Sequence, residues 1–250
     1  MSLAPDICPN CDSPLRPSDV FCSQCGQKVA LGARFTMRGG LHVLRGRLVG
    51  PEHSLLSQWR HMLVRPGLMA SDWAAGKRRR YFRPFGMLMV TVAIGSLVFA
   101  ASRFQAFAPY EGRHADLANF LQRNVNLVQL LQVPLLAAAL RLLFPRSLRN
   151  FGENLVLAAL TTTMRVTIGT LLLVPLSRLL RFGPAEMAVL IRVFLAAWVV
   201  YFAWAASQFH AGPRWLSALK GAAAAVLVHA AMVQAIETLG GVSYVLDADR

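Results

Sequence analysis

The sequence predicts an all-α integral membrane bundle of about five transmembrane helices, four if the weakest apolar block fails to span, carrying a small N-terminal zinc-ribbon knuckle. Three observations predict it. Hydrophobic residues make up 55% of the 250-residue chain and charged residues only 15%, against roughly 25% charged in soluble domains. From residue 84 onward, apolar blocks long enough for a bilayer alternate with short basic loops. All four cysteines lie in two tight pairs, Cys8-Pro-Asn-Cys11 and Cys22-Ser-Gln-Cys25, within the first 25 residues.

Residues 5–28 form the cysteine module. Each Cys-x2-Cys turn points two sulfurs at one ion, and two such turns complete a tetrahedral site of Cys8, Cys11, Cys22 and Cys25. Gly26 supplies backbone freedom after the second pair, and Pro9 and Pro14 stiffen the first. Zinc is expected over iron because nothing else in the sequence suggests redox chemistry. A site closed by four sulfurs has no open position for substrate, so the ion is structural. Cysteines confined to the module argue against a disulfide scaffold and for a reducing compartment. The first seven residues have neither the basic start nor the apolar core of a secretory signal.

Residues 29–51 read as a linker, with Gly32, Gly39, Gly40, Gly46, Gly50 and Pro51 among arginines. Residues 52–84 are a juxtamembrane amphipathic and basic segment. Leu55, Leu56, Trp59, Met62 and Leu63 share a helical face, with Gln58, Arg60 and His61 pointing elsewhere. Such a helix lies in the membrane interface or packs on the protein's own bundle. An Arg65-Pro66-Gly67 turn, a short helix over 68–75, a break at Gly76, a basic cluster and Tyr81 follow. Arg65, Lys77, Arg78, Arg79 and Arg80 are candidate contacts for anionic lipid or another anion; the alternative is that they set topology alone. The segment is no phosphate-cradling loop, since the Gly-x4-Gly-Lys-Ser/Thr frame is missing.

Five spans are expected over 85–102, 127–144, 155–176, 185–206 and 216–239, within a bundle covering 85–239, and 240–250 form a short tail. The second span is the weakest because it carries Gln129, Gln132, Pro134 and Arg141. Lys77, Arg78, Arg79, Arg80 and Arg83 stand directly before the first span, which places the N-terminus in the cytoplasm. Arg146, Arg149, Arg214 and Lys220 then face the same side, and the C-terminus ends outside an inner (cell) membrane. The formal net charge of +14 fits membrane orientation and lipid contact better than nucleic-acid binding, which is disfavoured.

Polar residues at membrane depth are the other candidates. Arg165 falls near the middle of the third span and Arg192 inside the fourth. An arginine there costs at least about 2.5–3.5 kcal/mol on insertion scales, so it faces the bundle interior or water. Arg165, Arg192, Gln129 and Gln132 line an anion or substrate path, or else hydrogen-bond helix to helix. Arg192 has Glu186 and Glu237 as potential ion-pair partners. His229 reads as an interior residue, and Gly221 with Ala225 allows close helix approach.

The order Phe21-Cys22-Ser23-Gln24-Cys25-Gly26-Gln27, Arg65-Pro66-Gly67, Gly76-Lys77-Arg78, Tyr81 and Pro84 resembles an uncharacterised bacterial family of polytopic membrane proteins with an N-terminal zinc ribbon. Phe151-Gly152-Glu153-Asn154-Leu155 is similar to a second element of that family. The resemblance implies the architecture and adds no reaction. No metalloprotease His-Glu-x2-His, no Gly-x-Ser-x-Gly elbow and no dinucleotide fingerprint is present, so the expectation is a non-enzyme. The leading expectation is an interaction, assembly or regulatory protein that meets a protein partner through its ribbon. The second is a transporter or channel-like protein for a small anionic or lipid substrate. The third is a lipid-headgroup enzyme using Glu153 beside the Arg146 and Arg149 loop. Oligomeric state is not legible.

Overall fold

The structure, a computed structural model, describes residues 6–27, 55–78, 81–102, 120 and 124–240. The expected linker over 29–51, Arg79, Arg80 and the tail beyond 240 lie outside the described residues. Among the described residues every regular element is a helix: α1 (Leu55–Val64), α2 (Pro66–Ala74), α3 (Pro84–Ser102), α4 (Val125–Leu143), α5 (Phe151–Leu179), α6 (Pro184–Phe209) and α7 (Arg214–Gly240). Five of these, α3 to α7, are long and apolar enough to cross a membrane. The second apolar block therefore qualifies with the others. Its helix turns Asn126, Gln129 and Gln132 inward and leaves Leu127, Leu131 and Leu135 exposed.

Helices α4, α5, α6 and α7 close a ring, each packing on the next, and α3 flanks α4 and α5. Helix α5 is the most enclosed. A capping box starts it: Asn150 Oδ1 accepts from the Glu153 amide at 2.9 Å, and Glu153 Oε2 accepts from the Asn150 amide at 3.0 Å. Glu153 is thereby buried as a helix cap. Thr161, Thr163 and Thr167 donate their hydroxyls to carbonyls four residues earlier, which lets hydroxyls sit in an apolar interior. Past Ile168 the helix widens into one π-turn (Gly169–Leu173), with the Val174 amide reaching the Gly169 carbonyl. Pro175, which has no amide to donate, follows at once. Helices α6 and α7 meet through small residues: a methyl group on Gly221 would sit 2.6 Å from the Ala206 Cβ.

Helices α1 and α2 form a hairpin that packs into the bundle and does not lie as a separate interfacial helix. Met62, Met69, Ala70 and Trp73 belong to the same core as Leu136, Leu157 and Phe202. The expected apolar face is rotated from the sequence reading. Gln58 and Met62 point inward, and Leu63 is 52% exposed. Gln58 turns inward because it has a use there: its Oε1 accepts from the Phe82 amide at 3.4 Å. The Tyr201 hydroxyl donates to the Met62 carbonyl at 2.6 Å, and Gln208 Oε1 accepts from the Gly67 amide at 3.1 Å. The hairpin thus seats on the last two turns or so of α6. A Cβ on Gly67 would fall 2.1 Å from the Ala205 carbonyl oxygen and 2.5 Å from Gln208 Cβ, so only glycine lets these backbones meet.

The same end of the bundle is closed by the loop before α5. His210 stacks flat on Phe144, with ring centroids 3.8 Å apart, and one ring nitrogen meets the Ser147 hydroxyl at 3.1 Å. Arg149 reaches Ser71 of α2 at 3.1 Å and lies over the Phe209 ring. Burial, helped by the nearby Arg149 and Lys220 charges, pushes His210 down to about 4.

Two outcomes follow. Gly67→Ala is expected to cost about 1–3 kcal/mol by overpacking, read as a lower unfolding temperature in detergent; wild-type stability in this variant would mean that the hairpin is not seated on α6. For His210, the unfolded chain takes up a proton below about 6.5 while the folded chain does not until about 4. Stability is therefore fully present above pH 6.5 and falls as pH drops toward 4, by at most roughly 3 kcal/mol. His210→Phe should flatten that limb of the pH–stability profile, and an unchanged limb would assign the acid sensitivity to other groups.

Candidate functional site

The four cysteine sulfurs lie within 4.8 Å of one another. Cys8 and Cys25 stand 3.7 Å apart, as do Cys11 and Cys22. Four sulfurs about 2.3 Å from a shared ion occupy a tetrahedron with edges near 3.8 Å, whereas a disulfide needs about 2.05 Å. All four cysteines are free thiols. The spacing and the all-sulfur donor set fit a single metal ion.

The backbone builds the two halves of this site in the same way. The Cys8 amide donates to the Ser13 carbonyl and the Asp12 amide to the Cys8 carbonyl; the Cys22 amide donates to the Gln27 carbonyl and the Gly26 amide to the Cys22 carbonyl. Both turns need a left-handed residue just after the second cysteine. Gly26 takes it with φ 65° and Asp12 with φ 58°. Gly26 was legible as such a residue, while Asp12 carried no comparable signal, although aspartate tolerates this region better than most residues. Between the halves, the Ser13 hydroxyl lies 3.0 Å from Cys11 Sγ and 3.1 Å from Cys22 Sγ. The Ser13 contact, with the Cys25 backbone amide, holds the Cys22 thiol down at about 6, and Ser13 lowers Cys11 as well. Burial pushes Cys8 up to about 11. The Ser13 hydroxyl thus favours the thiolate at Cys22 and Cys11, the form in which sulfur can ligate a metal. Among the described residues the module's core, apart from the sulfurs, is Leu15, too little apolar surface to hold a fold without a staple.

The module is mounted on the bundle. Gln27 Nε2 donates to the Gly76 carbonyl at 2.6 Å, and Pro9 lies against the open side of Gly76. Gly76 ends the hairpin at φ 95°, the break expected from sequence. Next to it, Asp72 accepts from the Tyr81 hydroxyl at 2.9 Å and pairs with Lys77 at 3.6 Å. Arg78 lies over the Trp73 ring, and its surroundings are partly desolvated, which lowers its pKa. Of the basic residues singled out from sequence, Arg65 is exposed at the hairpin tip, Lys77 and Arg78 are engaged within the chain, and Arg79 and Arg80 lie outside the described residues.

The intramembrane candidates divide. Arg165 Nη1 donates to Gln132 Oε1 at 2.9 Å, and the guanidinium lies 4.2 Å over the Trp198 ring. Gln129 is buried one turn away on α4. Arg192 is exposed on the outer face of α6 and does not join them. Glu186 folds back toward Gly183 at the start of α6, where a carboxylate offsets the helix dipole, so it is no partner for Arg192. Trp198 was missed from sequence because a tryptophan inside an apolar block gives no sign of which helix it will face.

Residues 55–95 match the model of a protein family of unknown function, DUF3667. The matched stretch comprises the hairpin, the Gly76 loop and about the first two thirds of α3. No curated protein and no solved structure shows a significant match.

The shared turn geometry gives a direct test. Asp12→Gly should bind metal at least as tightly as wild type. Asp12→Val, forced into a left-handed conformation costing about 1–2 kcal/mol, should bind roughly tenfold more weakly. Chelator competition with cobalt as the probe ion measures both, and equal affinities would remove the left-handed turn from the site's requirements.

Proposed function

We propose that this is a multi-pass protein of a bacterial inner membrane whose cytoplasmic N-terminal module holds one structural zinc ion, and that its role is interaction, assembly or regulation rather than catalysis. The observation that carries the reading is the mounting of a closed four-sulfur site on the hairpin through Gln27, Pro9 and Gly76. A fully thiolate site leaves no coordination position for a substrate, so what the ion supplies is a rigid surface. Ile7, Val20 and Phe21 are each more than half exposed on that surface, suited to an apolar contact with a protein partner. Orientation follows from charge. Lys77, Arg78, Arg83, Arg146, Arg149, Arg214 and Lys220 gather at the hairpin end of the bundle, which the positive-inside rule assigns to the cytoplasm. Arg65, exposed at the hairpin tip, then meets anionic head groups.

Capture from native membranes tests this reading. Wild type is compared with Cys22→Ser/Cys25→Ser and with Val20→Asp/Phe21→Asp at matched expression, with zinc and iron measured in each. The expected result is zinc in wild type and in the surface variant, none in the cysteine variant, and loss of the same partner from both variants. Identical captures from all three would sink the interaction role and leave the module as a local clip.

A further inference from the structure

We propose that the interior of the bundle contains a binding site for one small oxyanion, a carboxylate or phosphate group, held by Arg165 together with Gln132, Trp198 and His229. The site is independent of the ribbon and lies in a different part of the molecule.

Each of the four helices of the ring contributes one of these residues: Gln132 from α4, Arg165 from α5, Trp198 from α6 and His229 from α7. Counting along each helix from the hairpin end, all four sit about 16–23 Å in, at a rise of 1.5 Å per residue. That is near the middle of a hydrocarbon core about 30 Å thick. Arg165 donates to Gln132, stacks on Trp198 and lies within electrostatic reach of His229.

The chemistry of the cluster is donor-rich and acceptor-poor. A guanidinium has five N–H donors and no acceptor, and an indole has one donor and no acceptor. Gln132 Oε1 takes one of these protons. Arg165 Nε and Trp198 Nε1 are both buried without an acceptor among the described residues, and His229 Nδ1 is buried without a partner. No carboxylate among the described residues pairs with Arg165. Glu237 stands two turns beyond His229 on α7, about 12 Å further along the helix axis. A buried cation with unfilled donors is costly at this depth. An oxyanion supplies the missing charge and the missing acceptors together, in the planar geometry a guanidinium recognises.

A second set of unpartnered polar atoms adjoins the cluster. Gln129 Oε1, both side-chain polar atoms of Asn126 and Thr170 Oγ1 are also buried and unpartnered. Asn126 and Gln129 precede Gln132 at three-residue spacing on α4, and Thr170 lies in the π-turn that follows Arg165. Asn126 Nδ2 and Thr170 Oγ1 converge on the same point beside Gly95. The orphaned polar atoms therefore form a seam leading from Arg165 toward the end of the bundle opposite the hairpin. Buried polar atoms of this kind are ones that ordered water can satisfy. π-turns recur at functional sites, since they open the helix locally.

The test uses the full chain in phosphatidylcholine nanodiscs. Inorganic phosphate is titrated in one arm, and phosphatidic acid is doped into the discs in a second, so that a soluble and a lipid-borne phosphate are told apart. The readouts are the Trp198 contribution to fluorescence, taken as the difference from Trp198→Phe, and the shift in unfolding temperature. Saturable binding is expected in at least one arm, weakened at least tenfold in Arg165→Gln and severalfold in Arg165→Lys, which keeps the charge and loses the fork. Should Arg165→Gln fail to fold, Gln132→Leu supplies the comparison, because it disorients the guanidinium without removing it. Absence of saturable binding in both arms, or unchanged affinity in Arg165→Gln or Gln132→Leu, overturns the proposal and leaves Arg165 as a helix-to-helix tie.

Discussion

The seating of the α1–α2 hairpin on α6 is the contact on which the rest of the arrangement depends. It is a backbone-to-backbone approach, made possible by the missing side chain at Gly67. Pro66 starts α2 where an amide donor would go unused, and Gly67 then meets Ala205 and Gln208. From that contact Met62, Met69 and Trp73 reach the bundle core. Because α2 is fixed, Asp72, Gly76 and Lys77 are fixed, and the cysteine module has a platform. The chain of dependence runs from one glycine, through a hairpin, to the position of a metal site.

Helix α5 poses the opposite problem. It is enclosed by α3, α4, α6 and the hairpin, yet it carries three back-bonded threonines, an arginine and a glutamate. An apolar environment tolerates polar groups only when they are paired. Glu153 is paired by its own cap and the threonines by their own helix. Arg165 keeps a buried donor unfilled, because a guanidinium has more donors than a neighbouring helix can fill, and Asn154 Oδ1 and Thr170 Oγ1 on the same helix are also buried without a partner. The π-turn beyond Arg165 and the unpartnered amides of Asn126 and Gln129 beside it make this stretch the one where such unpaired groups are densest.

Much of this was legible in the residues. The cysteine spacing announces a four-sulfur site because ligand geometry is local: two turns of four residues fix four sulfurs. The apolar blocks announce helices for a similar reason, since in lipid a segment must satisfy its own backbone. The break at Gly76 and the helix before it were also readable. The face of α1 was not. Hydrophobic periodicity placed Gln58 outward, but a carboxamide facing inward is tolerated where the Phe82 amide waits for it. Asp12 and Ser13 were missed for a related reason. Asp12 is the left-handed residue of the first turn, a backbone conformation its side chain does not announce, and Ser13 has its role only once the two cysteine turns come together.

The sequence by itself determined the class of the protein: an apolar helical chain with one cysteine module and basic residues gathered before the first span. These are consequences of composition and short-range spacing, which act without reference to the fold. Tertiary structure alone decided which polar residues meet. Arg165 and Arg192 look alike in sequence, each a single cation in an apolar block. One faces Gln132 and Trp198 inside the ring, and the other stands on the outer face of α6. The angular position of a helix is set by the sum of its contacts with its neighbours, and no single block carries that information.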